Sequence, residues 1–139
     1  MKKSILSLLT ITALTACSSP MNLSVNEALN SNVAKEHLDS DVKLTFGPKQ
    51  TNGKSFKNIK TQRSTMILPL YRNDKQACQR ALVSALKVLQ KSALNEGAHE
   101  VANIHTFYNN IPFESRNEFQ CKTNKYFTSS ITLKGTIIK

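Results

Sequence analysis

Val42, Leu44 and Phe46 alternate with Lys43 and Thr45, and Gly47-Pro48 follows at once. Alternation puts every second side chain of an extended chain on one face, so this stretch reads as a half-buried strand stopped by a turn. A loop over residues 49–57 comes next. Over residues 58–68 the β-branched Ile59, Thr61, Thr65 and Ile67 again alternate with polar residues, which predicts a second strand, paired to the first and ended by Pro69. Residues 101–108 and 115–122 read as two more strands joined by a turn around Asn109-Asn110-Ile111-Pro112. In the latter strand Phe119 and Cys121 share one face, while Arg116, Glu118, Gln120 and Lys122 share the other, so Cys121 points inward. The last strand, residues 126–138, sets Phe127, Ile131, Leu133 and Ile137 against a wet face of Thr128, Ser130, Thr132, Lys134 and Thr136.

A helical period appears between these runs. Asn73-Asp74-Lys75-Gln76 supplies a cap and its reciprocal Gln, Ala77, Ala81 and Ala85 with Leu82, Leu86 and Leu89 fill the following turns, and Gly97 supplies a left-handed stop. The small Ala face lets a sheet approach closely. Upstream, Ser24-Val25-Asn26-Glu27 is a capping box, and Val25, Leu29, Val33 and Leu38 form one narrow apolar stripe ending near Asp39-Ser40-Asp41. Together these patterns predict an α+β domain: an antiparallel sheet of about five strands, with one long helix and a shorter N-terminal helix on one face.

The chain opens Met1-Lys2-Lys3, continues through an apolar run over residues 5–16 and stops at Cys17, the layout of a secretory signal too short to span a bilayer. Leu14-Thr15-Ala16-Cys17 resembles the lipobox of bacterial lipoproteins, which implies cleavage before Cys17 and acyl groups on that cysteine. Ser18, not Asp, follows, and by resemblance to enterobacterial sorting this favours the outer membrane. The expected organisation is a signal peptide over residues 1–16, a tether over 17–23 and a single α+β domain over 24–139. With Cys17 acylated, Cys78 and Cys121 remain as a pair in an oxidising compartment, and one disulfide is the economical expectation. A zinc site is the weaker alternative, since the thiols lack C-x-x-C spacing.

Loss of Lys2 and Lys3 lowers the formal charge from +10 to +8, so the exported domain stays cationic. Lys49, Lys54, Lys57, Lys60 and Arg63 concentrate that charge, and Lys54, Lys57, Lys60 and Arg63 are the candidate anion-binding residues. The polyanions at hand are lipopolysaccharide phosphates, anionic lipids, peptidoglycan carboxylates and acidic proteins; a merely solvated basic face is the plain alternative. Aromatic residues are few and not interleaved with the charges, which argues against nucleic acid. Ser84-Ala85-Leu86-Lys87 lacks the companion elements of penicillin-recognising enzymes, and His99-Glu100 lacks a second His at the fourth position, where Asn103 stands. His99 and His105 share strand parity and so one face, but about 20 Å apart. No catalytic residue, cofactor or metal ligand is assigned.

The residues Asp41-Val42-Lys43-Leu44-Thr45-Phe46-Gly47, Ala77-Cys78, Ser84-Ala85-Leu86, Leu89-Gln90, Gly97-Ala98, Asn103-Ile104, Glu118-Phe119-Gln120-Cys121 and Leu133-Lys134-Gly135 occur in this order. With them the chain resembles a family of small exported bacterial proteins that carries the label excinuclease ATPase subunit. At fold level it is also similar to the periplasmic domain of the Rcs envelope-stress lipoprotein, which has two disulfides, and to YbjQ-like domains. The ATPase label fails a physical test: Gly53-Lys54-Ser55 is the nearest phosphate-loop fragment, and position 48 is Pro where the motif needs Gly. The expected function is a non-enzymatic envelope binding domain, with a stress-sensing or redox-responsive module as the alternative and an uncharacterised enzyme third.

Overall fold

A computed structural model describes residues 19–48, 52–67, 73–124 and 128–139. Cys17 and the signal, Lys49, and the expected strand ends at Leu68-Pro69 and at Tyr126-Phe127 lie outside them. In chain order the elements are β1 (Met21–Ser24), α1 (Val25–Leu29), α2 (Asn32–His37), β2 (Lys43–Phe46), β3 (Ser55–Met66), α3 (Asp74–Asn95), β4 (Glu100–Tyr108), β5 (Ile111–Phe113), β6 (Glu118–Thr123) and β7 (Thr128–Ile138). The α+β class stands, with α3 the long helix and seven strands in one mixed sheet.

α3 starts and stops where its caps dictate. Asn73 Oδ1 accepts from the Gln76 amide at 2.9 Å. At the other end Gly97 adopts φ 70°, its amide donates to Leu94 O, and the Ala98 amide donates back to Ala93 O, which satisfies carbonyls the helix would leave orphaned. Ala77, Ala81, Ala85 and Ala93 are buried in the face that packs on β3 and β7. Close approach also needs Gly135 on β7, where an added Cβ would lie 2.8 Å from Val101 Cγ1 and 3.6 Å from Leu89 Cδ1. Cys78 on α3 and Cys121 on β6 are bonded and fully buried, with Cα atoms 5.9 Å apart. A bridge across 43 residues stabilises the fold by about 4 kcal/mol in the chain-entropy account.

β7 organises the sheet. β3 lies antiparallel along its full length on one side, while β4 takes the C-terminal half of the other side and β6 the N-terminal half. β1 extends the sheet beyond β6, and β2 and β5 share the far edge of β4. Several expectations change here. β2 pairs with β4, in parallel, and not with β3, so the sheet is mixed; β3 and α3 together form the long crossover that a parallel pair requires. Strand β3 begins at Ser55, inside the expected loop, and Met21–Ser24, which starts inside the expected tether and ends on the first residue of the expected domain, is a strand on β6. The single N-terminal helix is two short ones. Ser31 interrupts it by accepting from the Ala34 amide while donating to Ala28 O at 2.6 Å, the local competition that makes Ser and Asn poor mid-helix residues.

The expected hairpin also finds a different partner. Asn109 and Asn110 both adopt positive φ, 48° and 61°, the geometry of a tight two-residue turn, so β4 folds back onto β5 instead of β6. Pro112 is tolerated because β5 is a short edge strand. Asn103, at φ 50°, makes a bulge in β4, after which the alternation shifts by one residue. Val101 and Ile104 are therefore both in the core, and His105 faces away from it.

Gln90 is a buried polar residue in α3 with its amide spent on one loop. Its Oε1 accepts from the Asp39 amide at 2.9 Å, and its Nε2 donates to Asp39 O at 2.8 Å and Val42 O at 3.2 Å. Truncation removes the partners of one buried backbone group, Val42 O, and two part-buried ones on Asp39, so Gln90→Ala is expected to lower stability by about 1–3 kcal/mol in urea unfolding. Hydrogen exchange at the Asp39 amide should accelerate in parallel; a loss under about 0.5 kcal/mol would show that water replaces the side chain.

Candidate functional site

The four basic residues singled out by the sequence do not form one patch. Side chains alternate along β3, and opposite Ile137 and Ile131, which belong to the core, stand Lys57 and Arg63, on the helix side. Lys57 Nζ donates to Glu96 Oε1 at 2.9 Å, just past the end of α3, and holds that carboxyl below its ordinary range, by the hydrogen bond first and by charge second. Lys54 lies before β3, where its amide and carbonyl pair with those of Lys139. Lys60 alone of the four faces the open side of the sheet. Among the described residues the outer edge of β3 pairs with no strand, and cations at Lys57, Lys60 and Arg63 are the usual protection of such an edge.

Edge protection does not explain what Lys60 meets. Its register partner is Lys134, on the interior strand β7, and the partner of Lys134 on the other side is His105 of β4. The three form one row across the sheet. Lys134 Nζ lies 3.5 Å and Lys60 Nζ 5.4 Å from the centroid of the Phe107 ring. Among the described residues neither ammonium has a carboxylate within salt-bridge distance. Like charges directly opposite one another on a strand pair are destabilising, and the quadrupole of one phenyl ring offsets that repulsion only in part.

A cleft of about 410 Å³ opens over this row, walled by Phe107, Pro112 and the backbone of Gly135. His105 and Glu114 close one end: His105 Nδ1 is 2.8 Å from Asn103 O and 4.0 Å from Glu114 Oε1. With its amide oriented to satisfy its neighbours, Asn103 donates to Gly47 O at 2.8 Å and to Glu114 Oε1 at 3.3 Å, so the bulge that turned His105 outward also fixes the acid beside it. A larger hollow of about 570 Å³ lies between α1 and β2, but among the described residues Arg116 is its only cation, and its floor is apolar, from Val25, Leu29, Leu44 and Phe46. Two facing ammoniums make the smaller cleft the better candidate. Two ammoniums beside a phenyl ring are an arrangement with which an anionic group of modest size is electrostatically complementary.

Comparison of the chain with protein-family models, with curated proteins and with solved structures finds no match. The remaining sequence candidates separate in space. His99 precedes β4 and is exposed, and the bulge at Asn103 puts it out of phase with His105, so the two do not share a face. Ser84 and Lys87 lie on the exposed side of α3. Sequence reasoning placed Lys134 on the polar side of the last strand, but only the pairing of β3 with β7 brings Lys60 opposite it. Phe107 carried no signal beyond being an aromatic residue in a strand.

Tyr108 lies where β7 changes partner from β4 to β6. Its hydroxyl donates to Ser130 O, and burial pushes its pKa from 10.0 up to about 12. The neutral phenol is thus favoured by folding, so its contribution is complete below the ordinary tyrosine value and lost as pH rises from about 10 toward 12. Tyr108 should ionise above the ordinary tyrosine value by phenolate absorbance, and Tyr108→Phe should flatten the alkaline loss of stability. An unchanged alkaline profile in Tyr108→Phe would refute this account.

Proposed function

We propose that this chain is an envelope lipoprotein, exported, acylated at Cys17 and sorted to the outer membrane, whose folded domain is a non-enzymatic module that binds an anionic group on the open face of its sheet. The observation that carries the binding reading is the Lys60–Lys134 pair, two ammoniums set opposite each other over Phe107 with His105 in the same row. A bound phosphate or carboxylate would turn that repulsion into two charge-assisted hydrogen bonds. Lipopolysaccharide phosphates and peptidoglycan carboxylates are the envelope groups of this chemistry. The anchoring rests on the signal and lipobox residues of the sequence.

The stress-sensing alternative needs a disulfide that exchanges readily, and burial speaks against it. Both sulfurs of Cys78–Cys121 have no exposed surface, so an attacking thiolate reaches them only when the core opens. A structural staple is the reading this burial supports.

The test separates binding from stability. Lys60→Glu replaces the cross-strand repulsion with attraction and is expected to stabilise the domain by about 0.5–1 kcal/mol. It should at the same time abolish the saturable NMR shifts that inorganic pyrophosphate or citrate produces at Phe107 and Lys134 in the unaltered protein. Lys134→Gln should also lose them, and added salt should weaken them. If neither anion gives a saturable shift at these residues, or if Lys60→Glu binds as the unaltered protein does, the binding reading falls.

A further inference from the structure

Among the described residues the two most exposed large apolar side chains lie at one end of the sheet. Met66 is 75% exposed and stands opposite Thr128, the first residue of β7. Ile111 is 68% exposed and pairs with Tyr108, whose hydroxyl reaches Ser130, two residues along the same strand. Lys122, exposed, is the register partner of Ser130, and Arg63 faces Ile131, so cations share this end with the apolar side chains.

The chain from the anchor emerges at the same end. Met21 pairs with Cys121 in an antiparallel ladder, so residues before Met21 run toward Lys122 and Thr123. Cys17 stands four residues before Met21, and four residues span at most about 14 Å. An acylated Cys17 therefore holds this end within one short peptide of the headgroups. No comparable argument serves the opposite end, where Ser55 pairs with Ile138, about 33 Å away along β7. There Phe56 is 50% exposed, but its ring is already covered by the Lys139 ammonium, 3.9 Å from the centroid.

We infer that the end of the sheet bearing Met66, Ile111 and Lys122 is a membrane-docking surface, on which the domain stands upright with Met66 and Ile111 in the interfacial layer and Lys122 against anionic headgroups. Thioether and branched aliphatic side chains gain by leaving water, and juxtamembrane cations gain from the negative surface potential, each over the short range the tether enforces. Upright docking sets the Lys60–Lys134 row six residues along β7 from the level of Met66, about 20 Å, and three residues along β4 from the level of Ile111, about 10 Å, so the cleft opens just above the lipid surface. The inference rests on the proposed acylation of Cys17 and is independent of what the cleft binds.

The test uses the full lipoprotein purified from membranes and placed in vesicles of phosphatidylethanolamine and phosphatidylglycerol. Met66→Cys, Ile111→Cys and Phe56→Cys are each labelled with an environment-sensitive dye, and intact mass reports both acylation and an intact Cys78–Cys121 bond. Expected are a blue shift and quenching by a lipid-borne quencher at positions 66 and 111, with position 56 unaffected, and weaker quenching when phosphatidylglycerol is omitted. Dyes at 66 and 111 that stay as wet as the dye at 56, in a chain whose mass shows the acyl groups, reject the docking surface while leaving the anchor in place. Equal quenching at all three positions rejects the upright pose. Shielding that depends on protein concentration and not on lipid assigns the patch to a second copy and overturns the proposal. A mass without acyl groups removes the anchor and the inference with it.

Discussion

Ser55–Met66 and Thr128–Ile138 run antiparallel over their full length, and the alternation of side chains ties what is buried to what is offered to solvent. In the observed register Ile59 and Thr61 meet Gly135 and Leu133 on the helix side, while Lys60 meets Lys134 on the open side. A slip of one residue would drive Lys60 beneath α3 and expose Ile59. The apolar row Ile131, Leu133 and Ile137 makes that slip costly, so core packing holds two like charges together that would otherwise separate. The candidate site is thus a consequence of the core.

α3 and its bonds distribute that rigidity. The helix covers β3 and β7, its disulfide reaches β6, and Gln90 holds the segment between α2 and β2. Lys75 pairs with Glu27, which ties the start of α3 to α1. Five separate parts of the chain are referred to one helix. Exposed ion pairs such as the last contribute little on their own, and the buried amide and the disulfide carry most of this organisation.

What could be read in advance follows from how local each signal is. α3 was legible end to end, because Asn73, Gln76, Gly97 and the Ala face all act within a few residues of themselves. The inward direction of Cys121 and the polar face bearing Lys134 were legible for the same reason. β1 and β5, of four and three residues, are too short for alternation to register, and the interruption at Ser31 was masked by an apolar stripe that continues past it. The parallel pairing of β2 and the site row were not legible, since register depends on residues far apart in sequence. Asn103 shows the difference plainly: one positive φ shifts the phase of β4, and periodicity alone gives no warning of it.

Two accounts compete for the basic character of β3, and they make different demands on β7. If the cations serve only to keep another strand from adding to a free edge, they are needed on β3 and nowhere else, and the interior neighbour should carry residues that accommodate them. A Thr or Glu opposite Lys60 would do so; at the neighbouring positions on this face Thr132 and Thr136 meet the neutral Gln62 and Asn58, Thr136 Oγ1 donating to Asn58 Oδ1 at 2.9 Å. Lys134 breaks the pattern at the one position where it faces a second ammonium and a phenyl ring. Departures from local consistency of this kind are tolerated where a site uses them. On the proposed reading the repulsion is the unliganded state of an anion site, relieved by the charge it would bind.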